Sequence, residues 1–211
     1  MSKVLIINAS PRTDRSISRR LSKHFVESWI NKQPTAQIIY RELGKGDIPH
    51  VTEAWIAGAF KPAHLRSEED LEALKISDTL IKELKEADVI VVATPMYNWS
   101  VPSSLKAYID QVIRVNETIQ ITGIPADPYR GLLQNKSVYL LISRGNSGYS
   151  KGEFNAHLNF QSDYLKTVFH IMGIDDVQEL LFEGIEFDRD TVETRLEAIR
   201  KTLDHLITPV R

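Results

Sequence analysis

The chain contains no cysteine, and that absence excludes disulfides, thiolate nucleophiles and cysteine-ligated metals. Long apolar runs are missing as well. The longest are strand-sized, so no transmembrane helix fits. The start, from Met1 to Ile7, moves straight into a strand without the apolar stretch and small-residue cleavage site of a signal peptide. The expected location is therefore the cytoplasm, and the Asn-x-Ser/Thr triplets at Asn98, Asn116 and Asn135 read as chance matches. Excess charge of either sign is lacking. A net charge of −2 argues against a grip on nucleic acid, which needs a clustered basic surface. Neither G-x-G-x-x-G nor G-x-x-x-x-G-K-S/T occurs, which speaks against dinucleotide binding in the Rossmann manner. The six histidines show no metal-ligand spacing, and Ser143 lies in Ile-Ser-Arg-Gly rather than in a hydrolase elbow.

What is present suits a soluble globule. The 211 residues are 42% apolar and 26% charged, enough for one domain over 1–211. The organising stretch runs from Ala87 to Asp110. Val89 to Ala93 is apolar, β-branched and without polar alternation, the pattern of a strand buried on both faces of a parallel sheet. It breaks at Pro95 into Met96, Tyr97, Asn98 and Trp99, and Pro102 then opens a helix. A strand, an aromatic-polar loop and a helix in that order point to a ligand site.

The same alternation recurs along the chain. Strands are expected at Val4 to Asn8, Ile38 to Glu42, Ser137 to Ser143 and Val177 to Phe182. Helices are expected where Ile17, Leu21, Phe25 and Trp29 share a face, from the Ser67-Glu-Glu-Asp70 cap to Glu86, from His157 to Met172, and from Val192 to Leu206. Leu43 to Arg66 and Ile119 to Gln134 read as long loops. Within the first, Trp55, Ile56 and Phe60 suit a short helix that covers a pocket or partner, or that packs on the domain's own core. His24, beside Phe25, reads as structural. Five strands alternating with helices give an α/β fold with helices on both faces of a parallel sheet, and the doubly wound order 2-1-3-4-5 suits them.

Ligands of such sheets bind beyond the carboxyl ends of the strands, where the order reverses. That rule gathers three loops around one crevice. Ser10, Thr13, Ser16 and Ser18 with Arg12 and Arg15 precede a helix N-terminus, which suits a phosphate, although Ser16 also suits a plain helix cap. Pro95 to Trp99 offers an aromatic-flanked backbone for a planar ring. Ser143 to Ser147 offers small residues beside which backbone N–H groups can approach that ring. A phosphate joined to a flat heterocycle describes flavin mononucleotide (FMN).

The combination of Ser10, Ser16-Ile17-Ser18, Pro95-Met96-Tyr97-Asn98-Trp99 and Ser143-Arg144-Gly145 resembles the FMN-dependent NADH azoreductases. These are also described as NADH:quinone oxidoreductases, within the flavodoxin-like superfamily, and the likeness runs over nearly the whole chain. It implies that Ser10 and Ser16 to Ser18 hold the FMN phosphate. It further implies that Met96 to Trp99 line the ring system, and that Ser143, Arg144, Gly145 and Asn146 meet its pyrimidine side. NADH or NADPH would be the donor, and quinones and aromatic azo compounds the acceptors, in a ping-pong hydride transfer. The resemblance also implies a homodimer whose sites are completed by the second subunit. A non-enzymatic electron carrier and a flavin-binding sensor stand as alternatives. Arg144 suits either a contact to donor phosphates or a pairing with a carboxylate.

Overall fold

The computed structural model describes residues 2–207 apart from Asp47 and Asp188. Five strands form one parallel sheet: β1 (Lys3–Asn8), β2 (Gln37–Glu42), β3 (Val89–Pro95), β6 (Ser137–Ser143) and β7 (Asp176–Phe182). Their order is β2-β1-β3-β6-β7, which is the expected doubly wound order once the sheet's strands alone are counted. The register places Asn8 beside Ala93 and Pro95 beside Ser143, so these strands end together on one edge.

The continuous apolar runs have a direct physical reason. Val4 and Ile6 point into one core with Val89, Val91 and Leu141, while Leu5 and Ile7 point into the other with Ile90, Val92 and Leu140. A strand with a core on each face has no position left for alternation. The first core is closed by α1 (Ile17–Lys32) and α6 (Val192–Leu206). Phe25 and Trp29 stack there with ring centroids 5.5 Å apart. The second is closed by α3 (Glu68–Glu86), α4 (Ser103–Val112) and α5 (Ser162–Ile171). α3 starts with a complete capping box: Ser67 accepts from the Asp70 N–H, and Asp70 accepts from the Ser67 N–H. His24 of α1 reaches Asp204 of α6 at 2.9 Å, a contact between helices.

Two elements differ from the sequence expectation. Ile119 to Gln134 is not a plain loop. It holds an antiparallel hairpin, β4 (Ile119–Ile124) and β5 (Asp127–Gly131), with Ile121 opposite Tyr129. Pro128 masks it in the sequence, yet both strands of a two-stranded sheet are edges, where proline is tolerated. The helix expected from His157 begins only at Ser162. Asn159 Oδ1 accepts from the N–H groups of Gln161 and Ser162, which holds the preceding residues in a separate 3-10 turn at Ala156–Leu158. The short helix expected around Trp55 is present as α2 (Glu53–Phe60): Trp55 and Ala59 are buried with Leu74 of α3, whereas Ile56 and Phe60 are exposed. No helix among the described residues is long and apolar enough to cross a membrane.

Candidate flavin site

The loops after β1, β3 and β6 converge as the strand order requires. Between them lies a crevice of about 480 Å³, within the roughly 300–1,000 Å³ of small-molecule and cofactor sites. Ser10, Ser16 and Ile17 line one end, and Pro95, Met96, Tyr97, Ser143 and Gly145 line the rest.

The first end is built for an anion. Ser16 caps α1 by accepting from the Arg19 N–H, so the N–H groups of Ile17 and Ser18 stand in the first turn without intrahelical acceptors. The helix dipole adds positive potential at the same point. Arg12 and Arg15 are exposed along this rim, and neither has an ion-pair partner among the described residues. The backbone of the loop is braced from behind. Arg19 donates to the Ser10 carbonyl from Nε at 3.1 Å and from Nη2 at 2.8 Å, and it pairs with Glu42 at 2.6 Å. Asn8 donates to Glu42 at 2.6 Å and accepts from Ser22 at 2.9 Å. Partial burial alone would raise the Glu42 carboxyl, but the bonds from Arg19 and Asn8 outweigh it and hold its pKa below the ordinary value. Gly44 is required beside this brace, since a methyl group there would lie 2.2 Å from the Ser10 oxygen.

The middle loop is a tight turn. Tyr97 N–H donates to Ser100 O and Ser100 N–H to Tyr97 O, each at 3.0 Å. Asn98 and Trp99 at its tip have φ of 47° and 64°. Two consecutive positive φ values define a type I′ turn, which asparagine tolerates and tryptophan resists. Met96 N–H is spent on Ser143 O at 2.8 Å, so the donors left in this loop are those of Asn98 and Trp99.

The residues named from the sequence therefore separate into two groups. Ser10, Ser16, Ile17, Pro95, Met96, Tyr97, Ser143 and Gly145 line the crevice. Asn98 and Trp99 form the turn above it, and Asn146 is exposed next to the lining residue Gly145, accepting from Ser147 N–H through its side chain and from Gly184 N–H through its carbonyl. Ser18 is wholly buried, with its hydroxyl 3.2 Å from that of Ser16, so its backbone N–H is what it can offer.

Arg144 stands apart from both groups. Its side chain is wholly buried and bonds Gln161, Glu183, Asn159 and Ser162, and its N–H donates to Phe182 O at 2.8 Å. It packs the site from behind, in the carboxylate pairing that was one of its two readings. The sequence reading missed Ile185, Glu186, Val192 and Glu193, which line the crevice from beyond β7. Their signal was positional, because they follow the carboxyl end of a strand in the same sheet.

Beyond the Tyr97–Ser100 turn lies a second groove of about 610 Å³, lined by Val101, Lys106, His157, Phe160, Asp163 and Tyr164. Burial, with Asp110 nearby, pushes the Tyr164 hydroxyl up to about 12, so it is a neutral hydrogen-bonding group at neutral pH.

A doubly wound sheet with an anion cradle and a ring-sized crevice at its reversal point defines a flavodoxin-like protein. The chain belongs to the family described by the flavodoxin-like fold, whose match covers residues 2–207. It is 43% identical over 205 residues to an FMN-dependent NADH:quinone oxidoreductase of Trichormus variabilis, covering 95% of each chain. It is 38% identical over 211 residues to an FMN-dependent NAD(P)H:quinone oxidoreductase of Pseudomonas aeruginosa, covering 96% of this chain and 100% of that one. Among solved structures it is similar to an azoreductase from Bacillus anthracis, with a TM-score of 0.86, 25% identity and 98% of each chain covered.

Proposed function

We propose that the crevice binds FMN and that the chain is an FMN-dependent NAD(P)H oxidoreductase that reduces quinones and cleaves aromatic azo compounds. The observation that carries this reading is the meeting, in one crevice, of the α1 N-terminus with the 95–97 and 143–145 backbones. The names of the relatives support it and favour an enzyme over an electron carrier or a sensor. The donor set fits the cofactor. Ser10, Ser16 and the Ile17 and Ser18 N–H groups face a phosphate, and Pro95 to Tyr97 and Ser143 to Gly145 offer a narrow slot to a ring. Bound FMN supplies the two-electron chemistry that links a nicotinamide donor to a quinone or azo acceptor.

The protein's part is to position and to shield. The Arg19–Glu42 brace holds the Ser10 carbonyl in place, so the phosphate cradle is formed before a ligand arrives. The Tyr97–Ser100 turn fixes where the Asn98 and Trp99 N–H groups stand. One crevice serves donor and acceptor in turn, which gives ping-pong kinetics.

The chain works as a homodimer in the cytoplasm. Support for the dimer comes from Trp99 and Phe160, which adjoin through a 3.2 Å backbone bond yet are 51% and 61% exposed. Large exposed aromatic groups beside a site suit a protein interface.

The test is a visible spectrum of the purified protein, then anaerobic addition of NADH and a quinone. Flavin absorbance that bleaches with NADH alone and returns with the quinone is the expected result. A flavin that needs a separate reductase would leave the carrier reading, and failure to bind FMN on reconstitution would overturn both.

A further inference from the structure

Glu183, Glu186 and Glu193 stand beyond the carboxyl end of β7, and they differ in what they touch. Glu183 is held by Arg144 at 2.7 Å and by the Gly148 N–H at 3.2 Å. Glu193 takes both oxygens to Arg20, at 2.7 and 2.5 Å. Glu186 lines the crevice, and among the described residues its carboxylate has neither a hydrogen bond nor an ion pair.

Its backbone is nonetheless fixed. Gly184 N–H donates to Asn146 O at 3.1 Å, Ile185 N–H to Arg144 O at 3.4 Å, and Glu186 N–H to Gly145 O at 3.1 Å. This short ladder lays residues 184–186 along 144–146 and sets the Glu186 carboxylate against Gly145. A methyl group on Gly145 would lie 3.1 Å from the carboxyl carbon and 3.2 Å from Oε1, so a side chain there would press on the carboxylate. The N–H groups of Gly145 and Asn146 donate to no protein acceptor among the described residues.

Two N–H donors and one carboxylate acceptor, all without partners, thus share one rigid piece of backbone. The pyrimidine edge of a flavin presents the complement in number and kind: two carbonyl acceptors flanking one imide N–H donor. We infer that Glu186 reads the imide N–H of the bound flavin, with the Gly145 and Asn146 N–H groups meeting the carbonyls on either side. The inference rests on the FMN reading above and deepens it by naming a side chain that selects the ring. A carboxylate is a stronger acceptor for that N–H than the neutral backbone carbonyl would be.

The experiment titrates the flavin-free full chain with FMN and with FMN methylated at the imide nitrogen, following the loss of flavin fluorescence. A bond to a charged acceptor predicts a wild-type preference for FMN of about ten- to hundredfold. Glu186→Ala is expected to lose most of that preference together with affinity for FMN. Glu186→Gln, which keeps an acceptor oxygen, retains part of it. An unchanged thermal midpoint shows that the variants fold, as an exposed residue without side-chain partners should allow. A Glu186→Ala variant that keeps the wild-type preference, or a wild type without one, overturns the inference while FMN binding stands. A wild type that binds neither compound overturns the FMN reading as well.

Discussion

Arg144 Nη1 lies 2.7 Å from Glu183 Oε1, with the arginine side chain wholly buried and the glutamate 17% exposed. The pair ties the loop after β6 to the segment after β7, two walls of the crevice. Removing one member of such a pair strands the other, and Arg144→Met is expected to cost about 3–5 kcal/mol in urea unfolding. Arg144→Lys should recover only part, because an ammonium cannot serve four acceptors spread around a planar guanidinium. Arg144→Met with Glu183→Leu should cost less than Arg144→Met alone. A single variant within about 1 kcal/mol of the wild type would place the pair in the range of solvent-screened surface bridges.

Ser16 and Ser18 are close in sequence and unequal in role. Ser16 caps α1 and lines the crevice, whereas Ser18 is buried beneath it. Ser16→Ala is expected to cost about 0.5–2 kcal/mol of stability through the lost cap. It should also weaken FMN, whose phosphate loses a hydroxyl. Ser18→Ala keeps its backbone N–H and should change FMN affinity little. Fluorescence titration and urea unfolding of both variants check this, and equal FMN losses would show that the Ser18 hydroxyl reaches the ligand.

The sheet and the loop positions were legible because they are written in local patterns. Val89 to Ala93 and Leu140 to Ile142 are apolar on both faces, and Ser67 to Asp70 is a cap within one turn. For Arg144 the sequence left a carboxylate pairing and a contact to donor phosphates equally open, and it did not show which carboxylate. Its acceptors Glu183, Asn159, Gln161 and Ser162 lie 15 to 39 positions away, and its neighbours are the glycines and serines of a ligand loop. The Arg19–Glu42 brace is hidden in the same way, since it joins a helix to the end of a different strand. Glu186 sits where no local signal marks it. Only the path of the chain beyond β7 brings it to Gly145.

The brace carries a pH dependence with a definite sign. The folded pKa of Glu42 lies below its ordinary 4.5, so its contribution is complete above that value and lost as pH falls through the depressed one. Thermal midpoints of the wild type should therefore fall on acidification, in part through Glu42. Glu42→Gln should start lower at neutral pH and show a shallower fall. FMN affinity should follow the same course, because Glu42 pairs with the Arg19 guanidinium that holds the Ser10 carbonyl. An unchanged slope in Glu42→Gln would assign the acid response to other carboxylates.

Trp99 stands at φ 64°, in a region that costs an L-residue with a bulky side chain about 1–2 kcal/mol. The turn holds it there through the paired Tyr97–Ser100 bonds, and its carbonyl accepts from the Phe160 N–H at 3.2 Å. Trp99→Gly removes the strain and leaves both bonds available, so unfolding should be no easier than in the wild type despite the lost ring. Trp99→Val keeps the strain, adds a β-branch and should be the less stable of the two. The half-exposed indole lies on the turn whose Tyr97 lines the crevice and whose Ser100 lines the second groove. Replacing it should therefore shift kcat/KM among quinones and azo dyes more than it shifts FMN affinity. Stopped-flow reoxidation with a panel of acceptors, beside FMN titration of the same variants, separates the two effects. Parallel losses in both would make Trp99 a wall of the flavin site.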